Sequence, residues 1–228
     1  MRLKKLFSVL FALGLITGLH AQEIPNHSFE KWLKYSYKEG DYMMPEHWVT
    51  NDVLTRRFNP AYKGVSVTRL EEPHTGDYAL KMEVVIDGGD TVNGGIYSTG
   101  SLDSLLKVIY RRTNAGFSWK QKVSTFTGYY IFSSNHNDSA FVGITFTKWN
   151  TQIHKRDTLV NTTMQIGQNA SSYIQFTVPL KYRVETEPPD TAFIVIGIQG
   201  SNHHPAHRGT MFIIDDLAFT GTLPIKKP

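Results

Sequence analysis

Residues 78–86, Tyr-Ala-Leu-Lys-Met-Glu-Val-Val-Ile, alternate apolar and polar side chains with a period of two, and the chain repeats that pattern along much of its length. In an extended strand successive side chains point to opposite faces, so this period predicts half-buried strands. Leu80, Met82, Val84 and Ile86 share one face, Lys81 and Glu83 the other, and Asp87-Gly88-Gly89-Asp90 closes the run as a turn. Residues 126–132, 140–149, 174–180 and 211–219 read the same way, with Val142, Ile144 and Phe146 on one side of the third run and with Ile213 and Leu217 of the last expected in the core. Residues 192–199 are nearly continuous in apolar side chains, which predicts a central strand buried on both faces. Helical spacing occurs over residues 101–112, where Leu102, Leu105, Leu106 and Ile109 recur behind Ser101 or Asp103 as a cap; this is one short helix or a covered loop. Many strands without a βαβ rhythm predict an all-β, antiparallel β-sandwich of jelly-roll topology. Residues 33–45 and 201–209 read as loops within it.

The N-terminus carries a different signal. Met1-Arg2-Leu3-Lys4-Lys5 precedes an uncharged apolar run of 14 residues, Leu6 to Leu19, and then His20-Ala21-Gln22. A cationic start, an apolar stretch and a small residue at the cut predict a secretory signal peptide over residues 1–21, leaving one domain over residues 22–228. The run is shorter than the roughly 20 residues a membrane span needs. Its removal takes away Arg2, Lys4 and Lys5, so the formal charge falls from +4 to +1, with 21 basic and 20 acidic side chains. The basic pairs that remain, Arg56-Arg57, Arg111-Arg112 and Lys226-Lys227, are scattered and read as solvated surface, which disfavours nucleic acid as a partner. The chain has no cysteine, which excludes disulfides, thiolate metal sites, a Cys nucleophile and a lipid-modified cysteine.

Several motifs stand in a recognisable order. Asn26-His-Ser-Phe-Glu-Lys-Trp32 is followed by Pro45-Glu-His-Trp48, by Thr75-Gly-Asp-Tyr-Ala-Leu80, and at the far end by Gly209-Thr-Met-Phe-Ile-Ile-Asp-Asp-Leu217. Between them lie Thr127-Gly-Tyr-Tyr130, Asp138-Ser-Ala140, residues 173–182 and Pro189-Asp-Thr-Ala192. This series resembles the galactose-binding-like β-jelly rolls of secreted carbohydrate-binding modules, and in particular the PCMD (carbohydrate metabolism domain) family, over residues 26–219. The resemblance implies an exported protein that binds glycan at the cell envelope or outside the cell. A structural or adhesion scaffold and an enzyme of glycan metabolism are the alternatives. It also implies that Glu30 and one of Asp215 and Asp216 hold a structural Ca²⁺, a hard cation served by carboxylate oxygens. Adjacent strand residues face opposite ways, so at most one of the two aspartates is expected to face such a site directly.

Flat aromatic rings stack on the C–H faces of sugars while polar side chains read the hydroxyls. The candidates are Tyr35, Tyr37 and Tyr42 in the first long loop, with Trp119, Tyr129 and Trp149. Trp119 and Trp149 stand between polar or charged neighbours, Ser118 and Lys120, Lys148 and Asn150, and are expected to be exposed and to contact glycan. The alternative is that either covers a sheet edge. His203-His204-Pro205-Ala206-His207 reads as an exposed polar loop rather than a zinc site, since no activating acid accompanies it. No Gly-x-Ser-x-Gly and no evident carboxylate dyad are present, so catalysis is disfavoured. Asp90, Asp103, Asp138, Asp157 and Asp190 each begin an Asp-[Ser/Thr]-apolar triplet. That pattern is similar to an O-glycosylation acceptor motif and equally serves ordinary turn-to-strand chemistry.

Overall fold

The alternating segments become strands of two antiparallel sheets whose apolar faces meet. The structure is a computed structural model, and it describes residues 22–37, 40–101, 104–106, 116–134, 136–184, 186–201 and 204–225. Residues 1–21, where a signal peptide is expected, and His203 lie outside the described residues, as do Arg111-Arg112, Lys226-Lys227 and Asp103.

The chain opens with a hairpin, β1 (Trp32–Tyr37) and β2 (Gly40–Pro45), then β3 (Val49–Thr50), α1 (Asn51–Phe58) and β4 (Val67–Leu70). There follow β5 (Ala79–Asp87), β6 (Asp90–Asn93), β7 (Gly95–Tyr97), β8 (Phe117–Ser118) and β9 (Val123–Ser133). The last five are β10 (Ser139–Asn150), β11 (Lys155–Ile166), β12 (Ala170–Pro179), β13 (Thr191–Gln199) and β14 (Met211–Thr222). The first sheet runs β11-β10-β13-β7-β3, with β8 also on β13; the second runs β12-β9-β14-β5-β4, with β6 on β5. Several strands adjacent in space are distant in sequence, β13 beside β7 and β14 between β9 and β5, as in a jelly roll, and the fold is the predicted antiparallel sandwich.

The core between the sheets holds Leu80, Met82 and Val84 from β5, Val142, Ile144 and Phe146 from β10, and Ile194, Ile196 and Ile198 from β13. Phe29 and Trp48 plug one end, with the Trp48 indole N–H donating to the Pro25 carbonyl. Two core expectations are corrected. Ile86 is 52% exposed. Beyond Glu83, β5 has left β14 and pairs only with β6, so Ile86 sits on a projecting hairpin with no sheet above it. Ile213 is buried but pairs with Ile131 and Lys81 on the outer face, while Phe212 and Ile214 point inward. Strand β13 is central, as predicted, yet it is not buried equally on both faces: Ala192, Ile194, Ile196 and Ile198 are buried, while Phe193 and Val195 are half-buried.

A satellite cluster lies on the outer side of the first sheet, at the β3 edge. Val49, Val53 and Leu105 are buried there against Tyr35, Met44, Leu54 and Tyr97. Leu105 belongs to a helical turn over residues 104–106, capped by Ser101, whose Oγ accepts the Ser104 N–H; the rest of the predicted helix lies outside the described residues. Residues 33–45, read as a loop, form the β1–β2 hairpin instead. Helix α1 is anchored by Asp52, whose buried carboxylate accepts from the Tyr62 hydroxyl (2.8 Å) and from the Ser66 and Val67 N–H groups. Arg56, expected on the surface, is buried, and its guanidinium donates to the Gly64 carbonyl at 3.1 Å.

Candidate functional site

Ala140, Val142, Ile144 and Phe146 of β10 fill the core, so the odd residues Phe141, Gly143, Thr145, Thr147 and Trp149 face outward on the first sheet, Thr147 itself being covered. Register carries that surface across the neighbouring strands. Phe141, Gly143 and Thr145 lie opposite Gln165, Thr163 and Asn161 of β11, and opposite Gly197, Val195 and Phe193 of β13. The ladder shifts between Phe146 and Thr147, where Leu159 is the extra residue on β11. That bulge places Arg156 opposite Trp149.

Two glycines flatten this face. A Cβ at Gly143 would come within 2.8 Å of Val195 Cγ1, and one at Gly197 within 3.1 Å of the Phe141 ring. The side chains of Val195 and Phe141 therefore lie down across the glycines. Asn161, Thr163 and Gln165 are exposed along one side. On the other side the floor reaches Tyr97, whose hydroxyl donates to Asn51 Oδ1 of α1 at 2.8 Å.

Trp149 stands at one end, 45% exposed. Its backbone N–H donates to Asp190 Oδ2 at 2.8 Å. Arg156 donates to the other oxygen of Asp190 and to the Thr147 and Thr191 hydroxyls. Burial by itself would raise the Asp190 pKa, but the Trp149 N–H, the Thr191 hydroxyl and Arg156 outweigh it and hold the carboxyl below its ordinary value. Lys148 pairs with Glu187 at 3.3 Å. Arg156 and Lys148 beside Trp149 are thus each paired with a carboxylate, and the face beyond them presents aromatic rings, amides and hydroxyls.

Trp149 is where its neighbours predicted. Trp119 is not: it is 2% exposed. The chain there crosses from β8 on the first sheet to β9 on the second, and Trp119 closes the end of the sandwich between Phe117 and Phe219, at ring distances of 6.2 and 4.7 Å. Its indole N–H donates to the Gln121 carbonyl at 2.8 Å. Its polar neighbours reflect period-two alternation at the crossover rather than exposure. Tyr129 lies on the outer face of the second sheet, stacked on His74 at 3.6 Å, so the structure does not bring it together with Trp149. Tyr35 packs in the satellite cluster, and the side chains of Tyr37 and Tyr42 lie outside the described residues.

The acids that the resemblance assigns to calcium brace the turn at residues 74–78. Glu30 accepts the N–H groups of Asp77 and Tyr78. Asp215, fully buried, accepts those of His74, Thr75 and Asp216. Asp216 accepts from the Thr75 hydroxyl (2.8 Å) and contacts His74 Nδ1 at 2.7 Å. The expectation that the two aspartates face opposite ways is corrected, because both reach the same turn. Asp216 has φ +50, and the register of β14 on β9 shifts between Asp215 and Ala218. This bulge also moves the inward phase from Phe212 and Ile214 to Leu217. Burial pushes the Asp215 carboxyl up to about 6, against the three N–H groups that favour its charge. N–H and O–H donors already face these carboxylates, which is the wrong polarity for partners of a cation. Among the described residues no three acidic or histidine side chains converge on one point. This set does not fit a calcium ion as arranged.

The histidine loop also has structural work. His207 stacks on His136 at 3.7 Å and contacts Asp138 Oδ1 at 3.0 Å, while Asp138 also accepts from the Thr210 hydroxyl. Asp138 and Asp190, which open two of the triplets, are therefore anchors at strand starts.

No family model matches the chain, and no curated protein does, so the resemblance to the PCMD family has no independent match. Solved structures do match. A protein from Bacteroides thetaiotaomicron, provisionally assigned as a glycoside hydrolase, aligns at 11% identity over 87% of this chain and 71% of its own, with a TM-score of 0.62. The CBM22-1 xylan-binding domain of Paenibacillus barcinonensis Xyn10C aligns at 12% identity over 89% of this chain and 93% of its own, with a TM-score of 0.40. TmCBM61, solved with β-1,4-galactotriose, aligns at 8% over 86% and 91%, with a TM-score of 0.37. At such identities the likeness is one of fold: the chain is an antiparallel jelly-roll β-sandwich, and the first of these structures has a similar fold.

Proposed function

We propose that the protein is an exported, non-catalytic glycan-binding protein, and that glycan lies along the outer face of β10, β11 and β13. The observation that carries this reading is Trp149, an exposed indole at the end of a glycine-flattened sheet face, on backbone anchored by Asp190 and beside hydrogen-bonding side chains. Burying such a ring against a sugar C–H face recovers apolar area, and Asn161, Thr163 and Gln165 lie within the same surface to read hydroxyls. The N-terminal cationic and apolar segment supports export. Structural neighbours named as carbohydrate-binding modules agree with the binding role. The PCMD resemblance belongs to this proposal and implies the same role.

A glycan array probed with the chain tests this directly. Selective binding that falls at least tenfold in Trp149→Ala supports it. Binding unchanged in Trp149→Ala, or no binding at all, refutes it in favour of a scaffold. The neighbour assigned as a glycoside hydrolase motivates a second arm: each glycan bound is incubated with the protein and analysed for reducing ends, and none are expected.

A further inference from the structure

A groove lies apart from that face. Helix α1 and the projecting β5–β6 hairpin enclose an open groove of about 590 Å³. This is within the range of small-ligand sites. On the helix side Asn51, Thr55 and Asn59 follow one another at one-turn spacing; on the hairpin side stand Asp90, Thr91 and Asn93. Leu54, Val92 and Phe58 supply apolar wall, and Phe58 is 58% exposed. No lysine or arginine lines the groove.

The polar groups are held in place before any ligand arrives. Asn51 Nδ2 donates to the Asn93 carbonyl at 2.7 Å while its Oδ1 accepts from Tyr97, which sets the orientation of that amide. Asn59 Nδ2 reaches Asp90 Oδ2 across the groove at 3.5 Å. Asn93 Oδ1 is buried with no hydrogen-bond partner among the described residues. That oxygen has no exposed surface, so a ligand in the groove would not reach it. Three carboxamides, two hydroxyls and one carboxylate above an apolar wall match the alternating hydroxyl and C–H surfaces of a neutral sugar.

We propose that the α1–β6 groove is a second carbohydrate site, taking a single neutral saccharide unit or chain end. Asp90, the Asn59 carboxamide and the Thr55 and Thr91 hydroxyls read its hydroxyls, and Phe58 covers one face. The groove shares no residue with the Trp149 face, so the two sites stand or fall separately. The test is an amide-resolved NMR titration of the chain with methyl β-galactoside, methyl β-glucoside, methyl α-mannoside and methyl β-xyloside. At least one glycoside is expected to give saturable shifts at residues 51–59 and 90–93. Asp90→Ala and Asn59→Ala, both at exposed positions, are expected to weaken that binding at least tenfold, and Trp149→Ala to leave it unchanged. No saturable shift in the groove with any of the four, or shifts that survive both groove variants, overturns the proposal.

Discussion

Replacing Trp119 and Trp149 separately by alanine separates a core tryptophan from a surface one that sequence context makes look alike. Trp119 is 2% exposed, packs between Phe117 and Phe219, and donates its indole N–H to the Gln121 carbonyl. Removing a buried aromatic of this size costs about 3–5 kcal/mol. The Gln121 carbonyl also loses its donor, adding about 1 kcal/mol. For a chain of this length each kcal/mol lowers Tm by roughly 2–4 °C, so Trp119→Ala is expected to melt about 8–24 °C below the parent. Trp149 is 45% exposed and its indole makes no described hydrogen bond; only its backbone N–H does, and alanine keeps that. Trp149→Ala is expected to stay within about 1 kcal/mol of the parent. Calorimetry and urea denaturation of the three proteins measure both effects. A Trp119→Ala protein as stable as the parent, or a Trp149→Ala protein that loses as much as Trp119→Ala, refutes this assignment of roles.

Asp215 gives a pH signature. Its folded pKa of about 6 lies above the ordinary 3.8, so the folded state holds the proton more tightly. The contribution of Asp215 is then most favourable below pH 4, falls as pH rises through 4–6, and is lower by about 3 kcal/mol above that window. Asp215→Asn cannot ionise, so its stability relative to the parent is expected to rise by about that amount between pH 4 and pH 7.5; a flat difference contradicts the cause given. Because N–H groups already face Glu30 and Asp215, millimolar calcium or a chelator is expected to move Tm by less than about 1 °C, and a calcium-dependent rise of several degrees contradicts that. Gly143→Val places side-chain atoms where Val195 Cγ1 now lies. It is expected to cost about 1–3 kcal/mol, measured by denaturation, and to weaken any glycan bound on the face. Wild-type stability there refutes the close packing described.

The sandwich was legible wherever strands alternate cleanly between a wet and a dry face, as in β5, β10 and β12. It was less legible where that rule is broken locally. The Asp216 bulge shifts the phase of β14, so a period-two reading put Ile213 in the core and separated two aspartates that share one turn. Strand β11 escaped notice because its inward run is broken by Thr162 and by the bulge at Leu159, while Asn161, Thr163 and Gln165 face outward. Helix α1 was missed too, since its stability comes from the buried Asp52 and Arg56 networks rather than from an apolar stripe. Charged neighbours identified Trp149 but misplaced Trp119, because alternation at a crossover gives a buried residue the same company as an exposed one. The groove could not be read from sequence, since α1 and β6 are brought together by the fold and not by any shared motif.

The most direct test of the central claim is to map where a glycan lands. With the strongest glycan from the array, an amide-resolved NMR titration is expected to perturb residues 141–149, 156–165 and 190–195 most, and to shift the Trp149 indole N–H. Perturbations confined to the outer face of the second sheet, or to the α1–β6 groove alone, would contradict the claim.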